Sequence, residues 1–248
     1  MTVFELQLGL VTDCQLLSMF AEFWGVGELS LTRDRYSWYY NRKNEIAMPY
    51  SEFTTIGKVK LAFGLTTQEG IKFLPELAPI APSNTLSAFL EESLPLAVAT
   101  GSEKARSELI ISPVLLEVRK ILQRQISLFS GEEFTVEPAT GLTGVCDFLI
   151  SRSPELLEIE APAVVIVEAK KADLKTGIGQ CVAEMVAAQK FNEAKGHPIS
   201  VIYGSVSSGS QWRFLKLEGQ TVTIDLTDYP LPPVDYILGI LVWMVKNA

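Results

Sequence analysis

One apolar stretch ends in two charged residues and restricts the fold of this chain more than any other segment. Residues 164–167 read Val-Val-Ile-Val, and Glu168, Ala169 and Lys170 follow directly. A run of β-branched and apolar residues predicts a strand that is buried on both faces, as at the centre of an α/β sheet. Side chains alternate along a strand, so Glu168 and Lys170 project from the same face. The sequence therefore predicts a carboxylate beside an ammonium group at the end of a central strand.

A second predicted strand, residues 144–150, contains one charged residue, Asp147. If the two strands are neighbours in the sheet, Asp147 lies beside Glu168. Paired carboxylates repel each other unless a cation or a shared proton relieves the repulsion, and Mg²⁺ or Mn²⁺ suits such a pair of oxygen ligands. A bound metal ion lowers the pKa of a water molecule, and a lysine such as Lys170 can orient that water. These side chains predict metal-dependent hydrolysis of phosphodiesters.

The same residues resemble the PD-(D/E)XK nucleases, the restriction-endonuclease-like superfamily. The resemblance rests on Asp147, on the Glu-Ala-Lys tripeptide at residues 168–170 after a hairpin-sized gap of twenty residues, and on Gln180 early in the helix that follows. Cys146 stands where many of these nucleases have a proline before the aspartate, at a position that varies among them. The resemblance covers residues 100–226 and leaves the first part of the chain unexplained.

The resemblance implies a fold and a set of roles. The implied fold is a mixed central sheet flanked by helices, in the order helix, three-stranded meander, helix, strand. The implied metal ligands are Asp147, Glu168 and the main-chain carbonyl oxygen of Ala169. Lys170 would position the attacking water, and Gln180 would contact that water or the lysine. Mg²⁺ or Mn²⁺ would be the cofactor.

A glutamate on the first helix of such nucleases reaches the metal through water. Glu108 is the best match in this sequence, with Glu103 as its competitor. A solvated carboxylate is an equally good interpretation of Glu108, since glutamates are mostly exposed. Gln180 can likewise be an ordinary solvated helix residue. For the charged pair of the central strand, the alternative is an exposed ion pair that contributes little to stability.

The periodicity of the chain predicts an α/β fold with an N-terminal α+β extension, residues 1–99, of unknown role. In that extension a helix starts after Ser83 and ends at Pro95. The nuclease-like domain is residues 100–248. Its pattern predicts first a helix, residues 102–127, that Pro113 kinks or divides. Three meandering strands follow, at residues 134–137, 144–150 and 164–170, and then a helix at residues 176–194 and a strand at residues 199–203. A hairpin at residues 211–226 and an apolar closing helix at residues 235–246 complete the domain.

The net charge of −8 opposes a nucleic-acid function, since proteins that contact phosphates usually present a basic face. Carboxylates that hold a cation account for only part of this charge. One basic and aromatic stretch, residues 33–43, could stack on bases and contact phosphates. Its alternative interpretation is an amphipathic strand whose arginines face solvent.

We therefore expect a Mg²⁺- or Mn²⁺-dependent nuclease, with DNA favoured over RNA by family analogy alone. The alternative is a nuclease-fold module with weak or lost chemistry that acts in protein or DNA assembly. Homodimer formation and a protein partner on the closing helix both stay open. The sequence shows no secretory leader, and its last apolar run is too short for a bilayer. We expect a cytoplasmic protein without membrane contact, with Cys14, Cys146 and Cys181 as buried thiols.

Overall fold

The computed structural model describes residues 49–248. The basic and aromatic stretch at residues 33–43 and Cys14 lie outside these residues. The strands are β1 Thr66–Glu69, β2 Ser127–Glu133, β3 Val145–Ser151, β4 Ala163–Ala169, β5 Val201–Ser207, β6 Gln211–Glu218, β7 Thr221–Ile224 and β8 Tyr229–Pro230. The helices are α1 Ile56–Phe63, α2 Asn84–Thr100, α3 Glu103–Arg106, α4 Ser112–Ile121, α5 Lys175–Ala194 and α6 Asp235–Asn247.

Within residues 49–248 all the strands belong to one mixed sheet of order β1-β7-β6-β5-β4-β3-β2, with β8 beside β6. Strands β2, β3 and β4 are antiparallel neighbours. Helix α5 then leads from β4 to β5, which pairs with β4 in parallel. The α/β class, the order of the predicted meander and the strand-helix-strand unit are therefore confirmed. The first strand of the meander is wrong in position, since it spans residues 127–133, whereas the predicted residues 134–137 form no strand beyond an isolated bridge at Glu137. A restriction-endonuclease-like arrangement of these elements stays a prediction.

The hairpin of β6 and β7 extends the same sheet, because β6 pairs antiparallel with β5. Strand β1, from the region that the sequence assigned to an N-terminal extension, pairs in parallel with β7. Residues 66–69 thus contribute a strand to the central sheet.

Helices cover both faces of the sheet. Successive side chains of β4 point to opposite faces of the sheet. Ile166 packs in the apolar cluster that contains α1 and α5, whereas Val165 and Val167 pack in the cluster that contains α2, α4 and α6. Helix α6 is apolar on nearly every side because it is enclosed by the chain itself, with Ile237 and Leu238 fully buried. None of the described helices is both long and apolar enough to cross a membrane.

Two predicted helix ends are wrong: the helix predicted to reach residue 127 ends at Ile121, and α2 runs past Pro95. Ser83 does cap α2, with its hydroxyl accepting from the Leu86 amide at 3.3 Å, but the prediction that Pro95 ends this helix is wrong. The helix continues to Thr100 although proline removes one backbone hydrogen bond. Around the proline the helix is anchored by Ser93, whose hydroxyl donates to the Leu109 carbonyl at 2.8 Å, and by Ala97, which is fully buried in the core.

Pro113 lies where the sequence predicted a divided helix. A π-helical turn, Ser107–Ile111, separates α3 from α4, and Pro113 occupies the first turn of α4. The helical conformation is continuous from Glu103 to Ile121, so the helix is interrupted by a π turn and not ended. Pro113 has no amide hydrogen to donate to the Leu109 carbonyl four residues earlier, and that carbonyl accepts from the Ser93 hydroxyl instead.

Candidate active site

Asp147 and Glu168 lie on the neighbouring strands β3 and β4. The observed register pairs Phe148 with Val167, and its continuation by one residue puts Asp147 opposite Glu168. Side chains at opposite positions of antiparallel strands share a face and lie close together. The main-chain amide of Ala169 also donates a 2.8 Å hydrogen bond to Oδ2 of Asp147. The structure therefore brings the two predicted carboxylates together.

Glu168 is buried and forms an ion pair with Lys170. Its exposed fraction is 1%, and Nζ of Lys170 donates to its Oε1. Its other oxygen, Oε2, has no hydrogen-bond partner among the described residues. Burial raises the pKa of Glu168 to about 8, and the charge of Asp147 acts in the same direction, whereas Lys170 opposes the shift. This ion pair is therefore not the exposed strand-end pair of the alternative interpretation.

The Lys170 side chain runs along the start of helix α5. The main-chain amide of Lys170 donates to the Ser207 carbonyl at 2.8 Å, and the aliphatic part of the Lys170 side chain lies against Gly177 and Val206. Burial disfavours the charged ammonium, but the charge and hydrogen bond of Glu168 outweigh that effect, so the pKa of Lys170 is raised. Lys170 is thus a cation at neutral pH.

Helix α5 adds a carboxyl group that the sequence analysis missed. Glu184 is fully buried, and Nε2 of Gln180, one turn earlier, donates to its Oε1 at 3.2 Å. Its Oε2 has no partner within residues 49–248. Burial raises the pKa of Glu184 well above its usual value, and the charge of Glu168 adds to this shift. The sequence contained a signal for this buried carboxyl group, because Glu184 lies in the otherwise uncharged run of residues 181–188.

Of the two candidate glutamates near the first helix, Glu103 is the one whose charge acts on the site. It raises the pKa of both Glu168 and Lys170. Glu108 is exposed instead and pairs with Lys104 at 2.6 Å on the helix surface. The structure therefore leaves Glu108 apart from the other predicted site residues, as the solvated interpretation anticipated.

Two thiols and a phenol surround the buried carboxyl groups. Cys146 and Cys181 are free and buried, as expected from the sequence. Sγ of Cys181 donates to the Ser205 carbonyl at 3.6 Å. Burial raises the pKa of both thiols, and the charge of Glu184 contributes to each shift. Tyr50 donates its hydroxyl to the Phe134 carbonyl at 2.5 Å. These groups therefore stay neutral and act as packing residues.

The donor set matches the needs of Mg²⁺ in part. No group of three or more His, Cys, Asp or Glu side chains within residues 49–248 is arranged to enclose a metal ion. However, Mg²⁺ usually keeps several waters and takes only one or two protein carboxylates. Glu168 offers a buried oxygen that lacks a hydrogen bond in the described structure, with Asp147 next to it. These oxygen donors fit Mg²⁺ or Mn²⁺.

Comparison of the chain with protein-family models, with curated proteins and with solved structures gave no match.

Proposed function

We propose that this protein is a Mg²⁺- or Mn²⁺-dependent nuclease that hydrolyses phosphodiester bonds of nucleic acid, with DNA favoured by the resemblance to PD-(D/E)XK nucleases. One observation supports the proposal most strongly: Glu168 is buried, pairs with Lys170, lies beside Asp147, and has one oxygen without a hydrogen-bond partner among residues 49–248. Burying a carboxyl group without a full set of partners costs free energy. Such a group with a displaced pKa is characteristic of a functional site.

Each residue of the proposed site would have a separate role. Asp147, Glu168 and the carbonyl oxygen of Ala169 would hold the metal ion. When bound, that ion would lower the pKa of a water molecule and balance the charge that develops on phosphorus. Lys170 stays protonated because Glu168 favours its charged form, so it acts as a hydrogen-bond donor to water or phosphate and not as a base. Glu103 would contribute from the surface of α3.

The test combines metal binding and cleavage. Calorimetric titration with Mg²⁺ and Mn²⁺, and cleavage of plasmid and single-stranded DNA, would be measured on the wild type and on Asp147→Ala. A matched control is Glu117→Gln, since Glu117 is a buried glutamate on the opposite side of the sheet that binds Ser83. We expect metal binding and cleavage to be lost in Asp147→Ala and kept in Glu117→Gln. Cleavage that persists in Asp147→Ala at the wild-type rate would refute the proposal.

A second candidate function is that of a nuclease-fold assembly module. In the loop between β3 and β4, Leu156 is 60% exposed and Leu157 is 97% exposed. These leucines border a groove of 320 Å³ that Glu132, Glu133 and Glu158 also line, a combination that suits a basic partner segment with an apolar side chain. A labelled Lys- and Leu-containing peptide would bind the wild type and lose affinity for Leu157→Ser. This function gains support if metal binding fails.

A further inference from the structure

Glu184 is a buried glutamate whose surroundings differ from those of a structural one. Glu117, another buried glutamate, has both oxygens occupied: Oε1 accepts from the Ser83 amide at 2.9 Å and Oε2 from the Ser83 hydroxyl at 3.0 Å. Glu184 is more deeply buried, yet only its Oε1 has a partner within the described part of the chain. An unsatisfied buried carboxylate oxygen is costly, so packing alone does not explain this residue.

The unpaired oxygen belongs to the same charge cluster as the candidate active site. Asp147 and Glu168 are the carboxyl groups whose charges act on Glu184, and Lys170 acts on it with the opposite sign. Glu168, like Glu184, has an Oε2 without a hydrogen-bond partner in the part of the chain that the structure describes. Helix α5 packs on the face of β4 from which Glu168 projects. Two free carboxylate oxygens therefore come from opposite layers, one from the sheet and one from the helix.

The negative charge of this cluster is also not fully balanced by positive charge. When ionised, Asp147, Glu168 and Glu184 carry three negative charges, and among the described residues the one ammonium group paired with any of them is that of Lys170, which pairs with Glu168. A divalent cation supplies the two positive charges that are still needed. Buried carboxylates that coordinate a cation avoid the cost of unpaired burial.

We propose that Glu184 is a further carboxylate ligand of the metal site, contributed by helix α5 and acting together with Glu168. The structure holds no group of three such side chains already arranged around one ion within residues 49–248, so the side chains close around the cation when it binds. This inference rests on the proposed metal-dependent function and adds a ligand from a third element of the fold to β3 and β4. Gln180, which donates to Oε1 of Glu184, then holds that carboxylate in place and leaves Oε2 for the cation.

The test measures metal affinity and not cleavage. Mn²⁺ would be titrated calorimetrically into the full chain of the wild type, Glu184→Gln, Gln180→Ala and Glu117→Gln. Glu184→Gln keeps the size of the side chain and removes its charge, and we expect it to weaken Mn²⁺ binding by about tenfold or more. Glu117→Gln should leave the affinity unchanged. Gln180→Ala should weaken it less than Glu184→Gln does, since the carboxylate is still present.

The outcomes separate this inference from the proposed nuclease function. Equal Mn²⁺ affinity of the wild type and Glu184→Gln, with a loss in Asp147→Ala, would overturn the role of Glu184 and leave the nuclease proposal in place. Metal binding that depends on Glu184 without cleavage of any nucleic acid would support the ligand and refute the nuclease. Absence of metal binding in the wild type would overturn both. If Glu184→Gln does not fold, judged by circular dichroism, Glu184→Asp provides the same comparison with the charge kept and the reach shortened.

Discussion

The main-chain amide of Ala169 donates a hydrogen bond of 2.8 Å to Oδ2 of Asp147. Strand β4 therefore holds the carboxylate of β3 directly, and the position of Asp147 does not depend on a bound ion. The same strand carries Glu168, and Lys170 follows the strand directly, so one segment orients all three charged groups. This arrangement allows the structural role of Asp147 to be separated from its chemical role.

We expect Asp147→Ala and Asp147→Asn to differ in stability and to agree in function. Alanine leaves the partly buried amide of Ala169 without its acceptor, which should lower the free energy of unfolding by about 1–3 kcal/mol. Asparagine still accepts that hydrogen bond through its amide oxygen, so most of the stability should be kept. Both variants lose the negative charge, and both should lose metal binding. Urea denaturation and calorimetry measure the two effects, and equal destabilisation by both variants would contradict this assignment.

Above about pH 8, where the buried carboxyl group of Glu168 is ionised, removal of the Lys170 ammonium should leave that carboxylate without its counterion. We expect Lys170→Met to lower the free energy of unfolding by up to about 3 kcal/mol and to abolish cleavage, whereas Mn²⁺ should bind at least as tightly because no ammonium competes for Oε1 of Glu168. The double variant Glu168→Gln/Lys170→Met should regain part of the stability, since neither charge remains buried. A double-mutant cycle by chemical denaturation measures this coupling, and a value near zero would contradict the ion pair.

Glu103 and Glu108 provide a matched pair of substitutions on one helical segment. The charge of Glu103 acts on Glu168 and Lys170, whereas Glu108 is paired with Lys104 on the surface. We expect Glu103→Gln to reduce the cleavage rate and Glu108→Gln to leave it unchanged. The free energy of unfolding of each variant should lie within about 0.5 kcal/mol of the wild-type value, because both residues are exposed. A larger loss of activity in Glu108→Gln would reverse the assignment.

Gly177 gives the Lys170 side chain its space. A Cβ atom at position 177 would lie 2.7 Å from Cγ1 of Val206 and 3.0 Å from Cγ of Lys170. Gly177→Ala should therefore displace the lysine and lower the cleavage rate by about 10²-fold, the effect of a misplacement of about 1 Å. The control is Gly57→Ala in helix α1, where the nearest atom is 3.9 Å away. Steady-state kinetics of the two variants would contradict the prediction if both kept the wild-type rate.

The stability of the metal-free protein should depend on pH through Glu168. Burial raises its pKa to about 8 from an ordinary value of 4.5, so between these values the folded state binds a proton that the unfolded state has lost. The stability contributed by this group is therefore complete below pH 4.5 and is lost as the pH rises towards 8. Thermal unfolding in chelator should show the Tm of the wild type falling, relative to Glu168→Gln, across this range. A difference in Tm that is constant or grows in favour of the wild type would contradict the sign.

Local patterns predicted a large part of the structure. The β-branched run at residues 164–167 is buried on both faces because few other environments accept four such side chains in succession. Strand alternation put Glu168 and Lys170 on one face, and the short chain between β3 and β4 favoured their pairing. The helix from Lys175 to Ala194 and the closing helix follow from apolar periodicity in the same way. These predictions depend on residues that are near each other in sequence, so the sequence alone determined them.

The tertiary structure decided what depends on the rotation and packing of distant elements. The same sequence pattern allowed Glu103 or Glu108 to approach the site, and the orientation of α3 next to the sheet decided between them. Glu184 is the one charged residue in the apolar run at residues 181–188, but its place beside the site was decided only by the packing of α5 against β4. Helix α2 continues through Pro95 because contacts with the segment containing Leu109 offset the lost hydrogen bond. In each case the free energy comes from long-range packing and electrostatics, which local periodicity does not contain.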